Sequence, residues 1–273
     1  MPIKTATLFC SALGAAVSAA ASAAAPVPAA PAQMAVQQAL VSPSRSPDNV
    51  ARDRYRHPSE TLAFFGLKPG MTVVEVWPFG GWYTEILAPA LGPSGRLYVA
   101  QLASTGEMAP AIARLKARVE REPAFVNTRF TDFGKGALQI APAGSADMVL
   151  SFRNIHNWMG EGWAPAAFKA FYVALKPGGV LGIEEHRLPE SRVQDEKGGT
   201  GYVKQSVVIA MAQAAGFRLV GTSEVNANPQ DTADYPKGVW TLPPNYAEGH
   251  KDRARYTAIG ESDRMTLKFV KPG

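Results

Sequence analysis

The sequence has almost no cysteine. Its 273 residues include a single one, Cys10, which lies in an N-terminal segment that we expect to be removed. A mature chain without cysteine can form no disulfide bond and has no thiol nucleophile. Thiol chemistry is therefore excluded for the mature protein.

The sequence also lacks a long run of strongly apolar side chains. Its most apolar stretch, residues 5–20, is richest in alanine, follows the positively charged Lys4 and precedes three small residues at 21–23. This pattern predicts a signal peptide over 1–23, cleaved on export, and a periplasmic or secreted product with no stable membrane span. An uncleaved anchor is the less favoured alternative, because the stretch is short of strong hydrophobes.

A segment rich in proline and alanine follows the predicted cleavage site. Residues 24–46 show no periodic apolar face, which predicts a semi-extended linker. The folded domain is then expected over 47–273. A composition of 46% hydrophobic and 19% charged residues is ordinary for a globular protein with one sizeable core.

Several motifs of well-known enzyme classes are missing. The chain has no Gly-x-Ser-x-Gly elbow, no phosphate loop ending in Gly-Lys-Ser/Thr and no Gly-x-Gly-x-x-Gly turn. Their absence argues against an esterase, a P-loop nucleotidase and a dinucleotide-dependent dehydrogenase. His57, His156, Glu185 and His186 can converge at one sheet edge, but none of their spacings matches a metal-binding motif, so no metal is predicted.

The excess of positive charge is modest. Lysine and arginine number 28 against 23 acidic residues, a net charge of +5, and they are scattered along the chain. Nucleic acid is therefore not indicated as a partner. The densest basic cluster comprises Arg52, Arg54 and Arg56 with His57, and either a solvated helix face or a contact with an anionic ligand explains it.

From residue 48 onward, short β-rich runs alternate with helical stretches. This alternation predicts an α/β fold with a mainly parallel sheet and crossover helices. The predicted strands are 72–76, 96–102, 125–133, 146–152, 180–185, 217–225 and 265–270. The predicted helical segments are 47–65, 81–90, 107–122, 165–175 and 202–215. The long segment 226–260 contains several aromatic residues, which favour a functional role over disorder.

The segment VVEVWPFGGWYT, residues 73–84, is the most informative part of the chain. It is typical of a strand, a tight glycine turn and a helix in succession. In open α/β sheets such a turn lies at the carboxyl end of a strand, where backbone amides and a helix N-terminus face a polar ligand. This segment therefore predicts a ligand site.

Several segments in this order resemble class I S-adenosylmethionine-dependent methyltransferases. They are RHPSETLAFFGLKPG, VVEVWPFGGWYTEILAPALG, RNIHNW, LKPGG, AAGF, GVWTLPPNY and IGESDRMTLKFVKP. More narrowly, the chain is similar to a family of predicted bacterial methyltransferases, many of them with signal peptides. The resemblance implies a Rossmann-like, seven-stranded, mostly parallel sheet with helices on both faces and an antiparallel last strand. It also implies S-adenosylmethionine as cofactor and a small molecule as methyl acceptor.

The resemblance assigns roles around the glycine turn. Glu75 matches the acid that ends the first strand and helps to fix the turn around the methionine part of the cofactor. Gly81 matches the third glycine of the family's turn and Gly80 is an extra one. Trp77 and Phe79 stand where the first two glycines are expected, which places bulky rings where φ is often positive. Either the loop is displaced or these rings fill part of the cofactor pocket.

Other residues of the cofactor site follow from the same resemblance. Gln101 stands at the position of the carboxylate that accepts hydrogen bonds from the ribose. Asp132 matches the acid near the adenine amino group, with Phe133 beside it for packing. Trp82 opens the helix after the glycine turn, and Arg153 follows strand four at the edge that faces the cofactor.

Two histidines are candidates for catalysis. His156 follows strand four and can act as a general base, or it can be a buried structural histidine. His186 ends strand five, where its alternative role is a cap or an ion pair. The function alternative to methyl transfer is an exported methyltransferase-like protein with an altered cofactor pocket, which binds a ligand or performs other chemistry.

Overall fold

The strands form one sheet in a computed structural model that describes residues 1–2, 31–102 and 106–273. In chain order the strands of these residues are β1 Thr72–Val76, β2 Arg96–Ala100, β3 Thr128–Thr131, β4 Ala146–Phe152, β5 Leu175–Leu188, β6 Val203–Lys204, β7 Arg218–Ser223 and β8 Arg264–Val270. The α-helices are α1 Pro31–Leu40, α2 Pro47–Val50, α3 Asp53–Arg56, α4 Pro58–Phe65, α5 Thr84–Leu91, α6 Ala109–Arg121, α7 Ile155–Gly160, α8 Ala164–Ala174, α9 Gln205–Ala214 and α10 Arg253–Ile259. Two 3-10 turns occupy Pro123–Phe125 and Gly238–Thr241.

The strand order is β3-β2-β1-β4-β5-β8-β7, with β6 paired to the end of β5. Strands β1 to β5 pair in parallel, whereas β8 is antiparallel to both β5 and β7. The Rossmann-like prediction with an antiparallel last strand is confirmed. The described sheet has eight strands where seven were predicted, because the two-residue β6 adds to one edge. The chain reverses its direction of progress between β1 and β4, and ligands bind at such a switch point in open α/β sheets.

The two faces of the sheet pack against separate apolar layers. Alternation along β1 shows this directly: Val73 belongs to the layer with α1, α4 and α5, and Val74 to the layer with α8 and α9. Successive side chains of a strand point to opposite faces of the sheet. A strand that is covered on both sides therefore needs apolar residues at consecutive positions. Glu75 is an acid in an otherwise apolar strand, which marks it for a specific role.

The linker prediction is wrong from residue 31 onward. Residues 31–40 form helix α1, and Val36 and Ala39 on this helix are buried in the same layer as α4 and α5. Arg45 is buried as well and binds Asp53 through two hydrogen bonds. The folded domain therefore includes residues 31–46. The predicted signal peptide over 1–23 lies almost entirely outside the described residues.

Most predicted elements are present with shifted ends. Strands β1 and β4 have the predicted bounds, and β5 is longer than predicted. Helix α7 was not predicted, and it places the residues after β4 on a rigid element. The predicted helical stretch 47–65 is broken into three short helices, with His57 at a φ of 40°. None of the helices in the described ranges is both long and apolar enough to cross a membrane.

A glycine in β5 sets how closely α4 approaches the sheet. A Cβ added to Gly182 would lie 2.7 Å from Leu150 Cδ2 and 2.9 Å from the Phe65 ring. We expect Gly182→Ala to lower the free energy of unfolding by about 1–3 kcal/mol, because the added methyl group overpacks this contact. Urea unfolding measures the effect. Gly80→Ala is the control, since its Cβ would meet nothing closer than 3.9 Å; equal stability of the two variants would contradict the prediction.

Candidate functional site

A cavity of about 270 Å³ opens at the carboxyl ends of β1, β4 and β5. Its polar lining comes from Glu75, Tyr83, Arg153, Asn154, His156, Asn157 and His186, and its apolar lining mainly from Val76, Trp77, Pro78, Phe79, Trp82, Met108, Phe152 and Trp240. Strands β1 and β4 are neighbours in the sheet. The cavity thus lies at the switch point where this fold class binds ligands.

Glu75 is one of the residues that line this cavity. The residue is buried, and its Oε2 accepts a hydrogen bond of 2.6 Å from Thr84 Oγ1, at the start of α5. Burial disfavours the charged form and raises the pKa of Glu75 to about 8, against an ordinary value of 4.5. The carboxyl group is therefore mainly neutral at pH 7.

The turn after β1 has the left-handed backbone expected of glycine. The φ angles are 45° at Trp77, 50° at Phe79 and 80° at Gly81. The Trp77 indole Nε1 donates a hydrogen bond of 2.8 Å to the Phe133 carbonyl oxygen. Its ring also contacts the rings of Phe133, Trp158 and Trp163 at centroid distances of 5.7–6.4 Å. These contacts hold the strained backbone in place.

Two amide side chains brace the same turn from its neighbours. Asn154 Nδ2 donates to the carbonyl oxygens of Val76, at 2.9 Å, and Trp77, at 3.3 Å. Gln101 Oε1 accepts a hydrogen bond of 3.2 Å from the Phe79 amide. The turn is thereby fixed to the ends of β2 and β4. Gln101, predicted to face the ribose, here holds the loop through its side-chain amide.

A His-Glu-His group lies beside the first cavity, which His156 and His186 line. His156 Nδ1 is 3.1 Å from Glu185 Oε1, and His186 Nδ1 is 2.6 Å from Ser262 Oγ. Glu185 also accepts hydrogen bonds from the backbone amides of Ile155, at 2.6 Å, and His186, at 2.9 Å. Desolvation, together with the charges of His156 and nearby arginines, holds the pKa of His186 well below its usual range. His186 is therefore neutral at physiological pH.

The three side chains of this group meet one geometric condition for a metal site. One ligand atom from each of His156, Glu185 and His186 lies within 4.8 Å of the others. Two observations favour a base over a metal ligand set. Glu185 already accepts two backbone hydrogen bonds besides its contact with His156, and the guanidinium groups of Arg153, Arg56 and Arg264 act on His186 and would repel a divalent cation.

A second cavity of about 630 Å³ adjoins the first. Gln101 lines it together with Leu102, Gly134 and Lys135, and four residues line both cavities: Trp77, Phe79, Met108 and Asn157. The second cavity lies at the carboxyl ends of β2 and β3. The rings of Trp77 and Phe79, which contact each other at a centroid distance of 5.8 Å, are among the residues common to both spaces.

The structure brings together most, but not all, of the predicted site residues. Seven line the first cavity: Glu75, Trp77, Phe79, Trp82, Arg153, His156 and His186. Gly80 is exposed in the loop, and Gly81 is buried where a Cβ would lie 2.5 Å from Leu115 Cδ1, so it serves helix packing. Asp132 is exposed and lines a separate surface depression, and Phe133 is fully buried in the core.

Some residues of the site were not predicted from the sequence. Asn154 braces the turn, and Asn157 and Met108 line both cavities. Trp240 comes from the long segment 226–260, and its ring lies 5.8 Å from that of His156. The segment RNIHNW, which directly follows β4, already pointed to the two asparagines. No local pattern places Trp240 beside the end of β4, which lies roughly 90 residues earlier in the chain.

Known structures share this architecture, whereas no protein-family model and no curated protein match the sequence. A SAM dependent methyltransferase from Aquifex aeolicus aligns over 88% of this chain and 98% of its own, with a TM-score of 0.54 and 16% identity. The [4+2]-cyclase SpnF aligns over 90% and 98%, with a TM-score of 0.56 and 17% identity. A phosphoethanolamine N-methyltransferase 2 from Haemonchus contortus, in complex with S-adenosyl-L-methionine, aligns over 80% of this chain and 53% of its own, with a TM-score of 0.53 and 17% identity.

The fold is that of S-adenosylmethionine-dependent methyltransferases. The sequence resemblance and the structural likeness agree on this point. At 16–17% identity the likeness concerns the fold, and SpnF carries the name of a cyclase on the same fold. Function must therefore be argued from the cavity itself.

The raised pKa of Glu75 predicts a measurable effect of pH on stability. The folded protein keeps a proton on Glu75 up to about pH 8, whereas the unfolded chain loses it near 4.5. Rising pH therefore lowers the free energy of unfolding within this window, by at most about 1.4 kcal/mol per pH unit, and has no further effect above it. We expect Glu75→Gln to remove this loss, so that the variant gains stability over the wild type from pH 5 to pH 8.

Urea unfolding at pH 5, 6, 7 and 8 measures this difference. The control is Glu120→Gln, an exposed acid on α6, which should follow the wild type at every pH. Parallel curves for Glu75→Gln and the wild type would show that Glu75 is ionised throughout the range.

Proposed function

We propose that the protein is an S-adenosylmethionine-dependent methyltransferase acting on a small molecule. The observation that carries the proposal is the first cavity, which is lined by the neutral Glu75 and by His156, the partner of Glu185. It lies at the switch point of a methyltransferase fold and adjoins a second cavity of suitable size for a nucleoside.

The chain's residues fit this cofactor. Asn154 lines the cavity, and its buried Oδ1 has no hydrogen-bond partner among the described residues, so it can accept one from a ligand amine. Glu75 can become a carboxylate next to a bound cation. When bound, S-adenosylmethionine supplies an electrophilic methyl group on a sulfonium ion. The first cavity is too small for the whole cofactor, and the second provides the remaining space beyond Phe79.

His156 is proposed as the general base. In the tautomer whose Nδ1–H donates to Glu185, the Nε2 atom carries the lone pair and can take a proton from an acceptor O–H or N–H group. Glu185 orients the ring and stabilises the imidazolium that forms. Methyl transfer mainly requires alignment of donor and acceptor. A single general base is therefore the only catalytic group that the reaction needs from this site.

Cofactor binding should be coupled to the proton on Glu75. A cation beside Glu75 favours its carboxylate form, so binding below pH 8 releases a proton. We expect the affinity for S-adenosylmethionine to rise with pH up to about 8, by at most tenfold per unit, and to become independent of pH in Glu75→Gln. Calorimetric titration with S-adenosylmethionine and S-adenosylhomocysteine measures this, with Glu120→Gln as control. No heat at millimolar concentrations of either ligand would refute the proposed function.

The alternative function depends on Phe79, which lines both cavities. If Phe79 closes the route to the second cavity, the fold would serve a different ligand or reaction, and the intact cofactor would not fit. Phe79→Gly tests this, because glycine accepts the observed φ of 50° and removes the ring. The alternative function predicts that the variant gains binding of S-adenosylhomocysteine that the wild type lacks, whereas equal binding favours methyl transfer.

Ala233→Gly is the matched control for Phe79→Gly. Ala233 also has a positive φ, of 52°, and lies outside both cavities. It therefore relieves the same kind of backbone strain without removing the Phe79 ring. If both variants gained affinity for S-adenosylhomocysteine, the cause would be relief of backbone strain and not removal of the Phe79 ring.

We also propose that the protein acts outside the cytoplasm. The proposal is supported by the positively charged start, the apolar stretch 5–20 and the small residues at 21–23. The full chain with a C-terminal tag should appear in the periplasmic fraction or the medium, and its mass should show cleavage near residue 23. A chain that begins at residue 24 should stay in the cytoplasm; the same location for both would refute export.

A further inference from the structure

A third cavity, of about 200 Å³, lies next to the proposed methyl-transfer site. Its lining includes Arg52, Arg56, Arg153, Trp240 and Glu261. The first cavity shares Arg153, His186 and Trp240 with it, so the two are adjacent. A water molecule occupies about 30 Å³ of liquid, so this space holds a small polar group and not a whole cofactor.

Positive charge exceeds negative charge around this third cavity. Four guanidinium groups meet two carboxylates: Arg52, Arg56 and Arg264 contact Glu261, and Arg153 and Arg264 contact Glu184. Of the other titratable groups near it, His186 and Tyr83 are neutral and Glu75 is mainly protonated at pH 7. Glu185, which contacts His156 and the backbone amide of His186, adds a third carboxyl group, so the four guanidinium groups still outnumber the carboxylates.

The arginines have donors that the protein itself does not use. Arg52 and Arg56 each bond to Glu261 through Nε alone, so their terminal nitrogens have no hydrogen-bond partner among the described residues. The Arg56 side chain is only 4% exposed. Its burial and the repulsion from Arg153 lower the pKa of Arg56 well below its ordinary value. The terminal nitrogens of Arg52 and Arg56 are not among the fully buried unpaired atoms of the described residues, so a ligand in the cavity can reach them. Guanidinium donors that face a cavity can bind an anion with paired hydrogen bonds.

We propose that this arginine pocket binds the anionic group, a carboxylate or a phosphate, of the molecule that the protein methylates. Arginine matches both groups with paired N–H donors. A molecule held there would extend past Trp240 and His186 toward His156, whose ring lies 5.6 Å from that of His186. The assignment to the methyl acceptor rests on the proposed function, whereas the anion site itself does not.

Inorganic phosphate is the probe for the site. Calorimetric titration in low-salt buffer should show one phosphate bound at millimolar concentration or below, and Arg56→Met should weaken this binding at least tenfold. The variant should fold, because Glu261 keeps Arg52 and Arg264 as partners. Arg54→Met is the matched control on the same helix; its side chain is exposed, and phosphate binding should not change.

A second variant allows the test to be made even if Arg56→Met does not fold. The Arg52 side chain is 27% exposed, so Arg52→Met should be tolerated and should also weaken phosphate binding. Circular dichroism and thermal unfolding verify that each variant is folded. The anion site is refuted if the wild type binds no phosphate, or if the folded variants at positions 52 and 56 bind it as the wild type does.

Titration of S-adenosylhomocysteine into the phosphate-saturated protein identifies which molecule brings the anion. Unchanged affinity means that both ligands bind together, as expected if the anion belongs to the acceptor. Competition between them would overturn the assignment, because the anion site would then hold the cofactor's own carboxylate. Phosphate binding without any S-adenosylhomocysteine binding would refute the proposed function, and the acceptor assignment with it, but would leave the anion site established.

Discussion

The site depends on a buried ion cluster centred on Glu184 and Glu261. These two carboxylates connect four parts of the chain that are distant in sequence: the N-terminal helices with Arg52 and Arg56, the turn after β4 with Arg153, the β5 strand, and β8 with Arg264. A buried ion pair contributes little to net stability when both partners are present, but the loss of one partner is costly. The cluster therefore determines the positions at which these segments meet. It contributes less to the free energy of unfolding.

The same cluster sets the protonation states in the site. The arginines disfavour a charge on His186, which burial already keeps neutral, and they hold the pKa of Glu261 below its ordinary value. Tyr83 donates a hydrogen bond of 3.3 Å to Glu184, and burial and that carboxylate raise the pKa of its hydroxyl. The result is a site with the neutral His186 and Tyr83 on its walls and a cluster rich in guanidinium groups beside them. Such a site can orient an anionic molecule while leaving a histidine free to accept a proton.

The sequence predicted those features that depend on local patterns. Strands β1 and β4 have apolar runs bounded by turn residues, and the structure has them at the predicted bounds. Helix α1 was missed because its proline and alanine composition resembles a linker, and only tertiary contacts reveal that Val36 and Ala39 are buried. Asp132 has the right residue type at the right place in the chain, but its exposed position faces a different depression. Long-range packing, which no local pattern encodes, decides these cases.

The turn after β1 shows how a binding loop can change its residues while keeping its backbone. A positive φ at a non-glycine residue costs on the order of 1–3 kcal/mol. At Trp77 the indole hydrogen bond to Phe133 and the contacts with three neighbouring rings offset this cost. Glycine would give the same backbone without a ring, so the substitution affects the volume beside the loop and not its conformation. The Phe79 ring contacts that of Trp77 at a centroid distance of 5.8 Å and lines both cavities, as do Met108 and Asn157. The backbone of the turn is held by Asn154 and Gln101, so a change of side chain at Phe79 alters the space between the cavities more than the path of the loop.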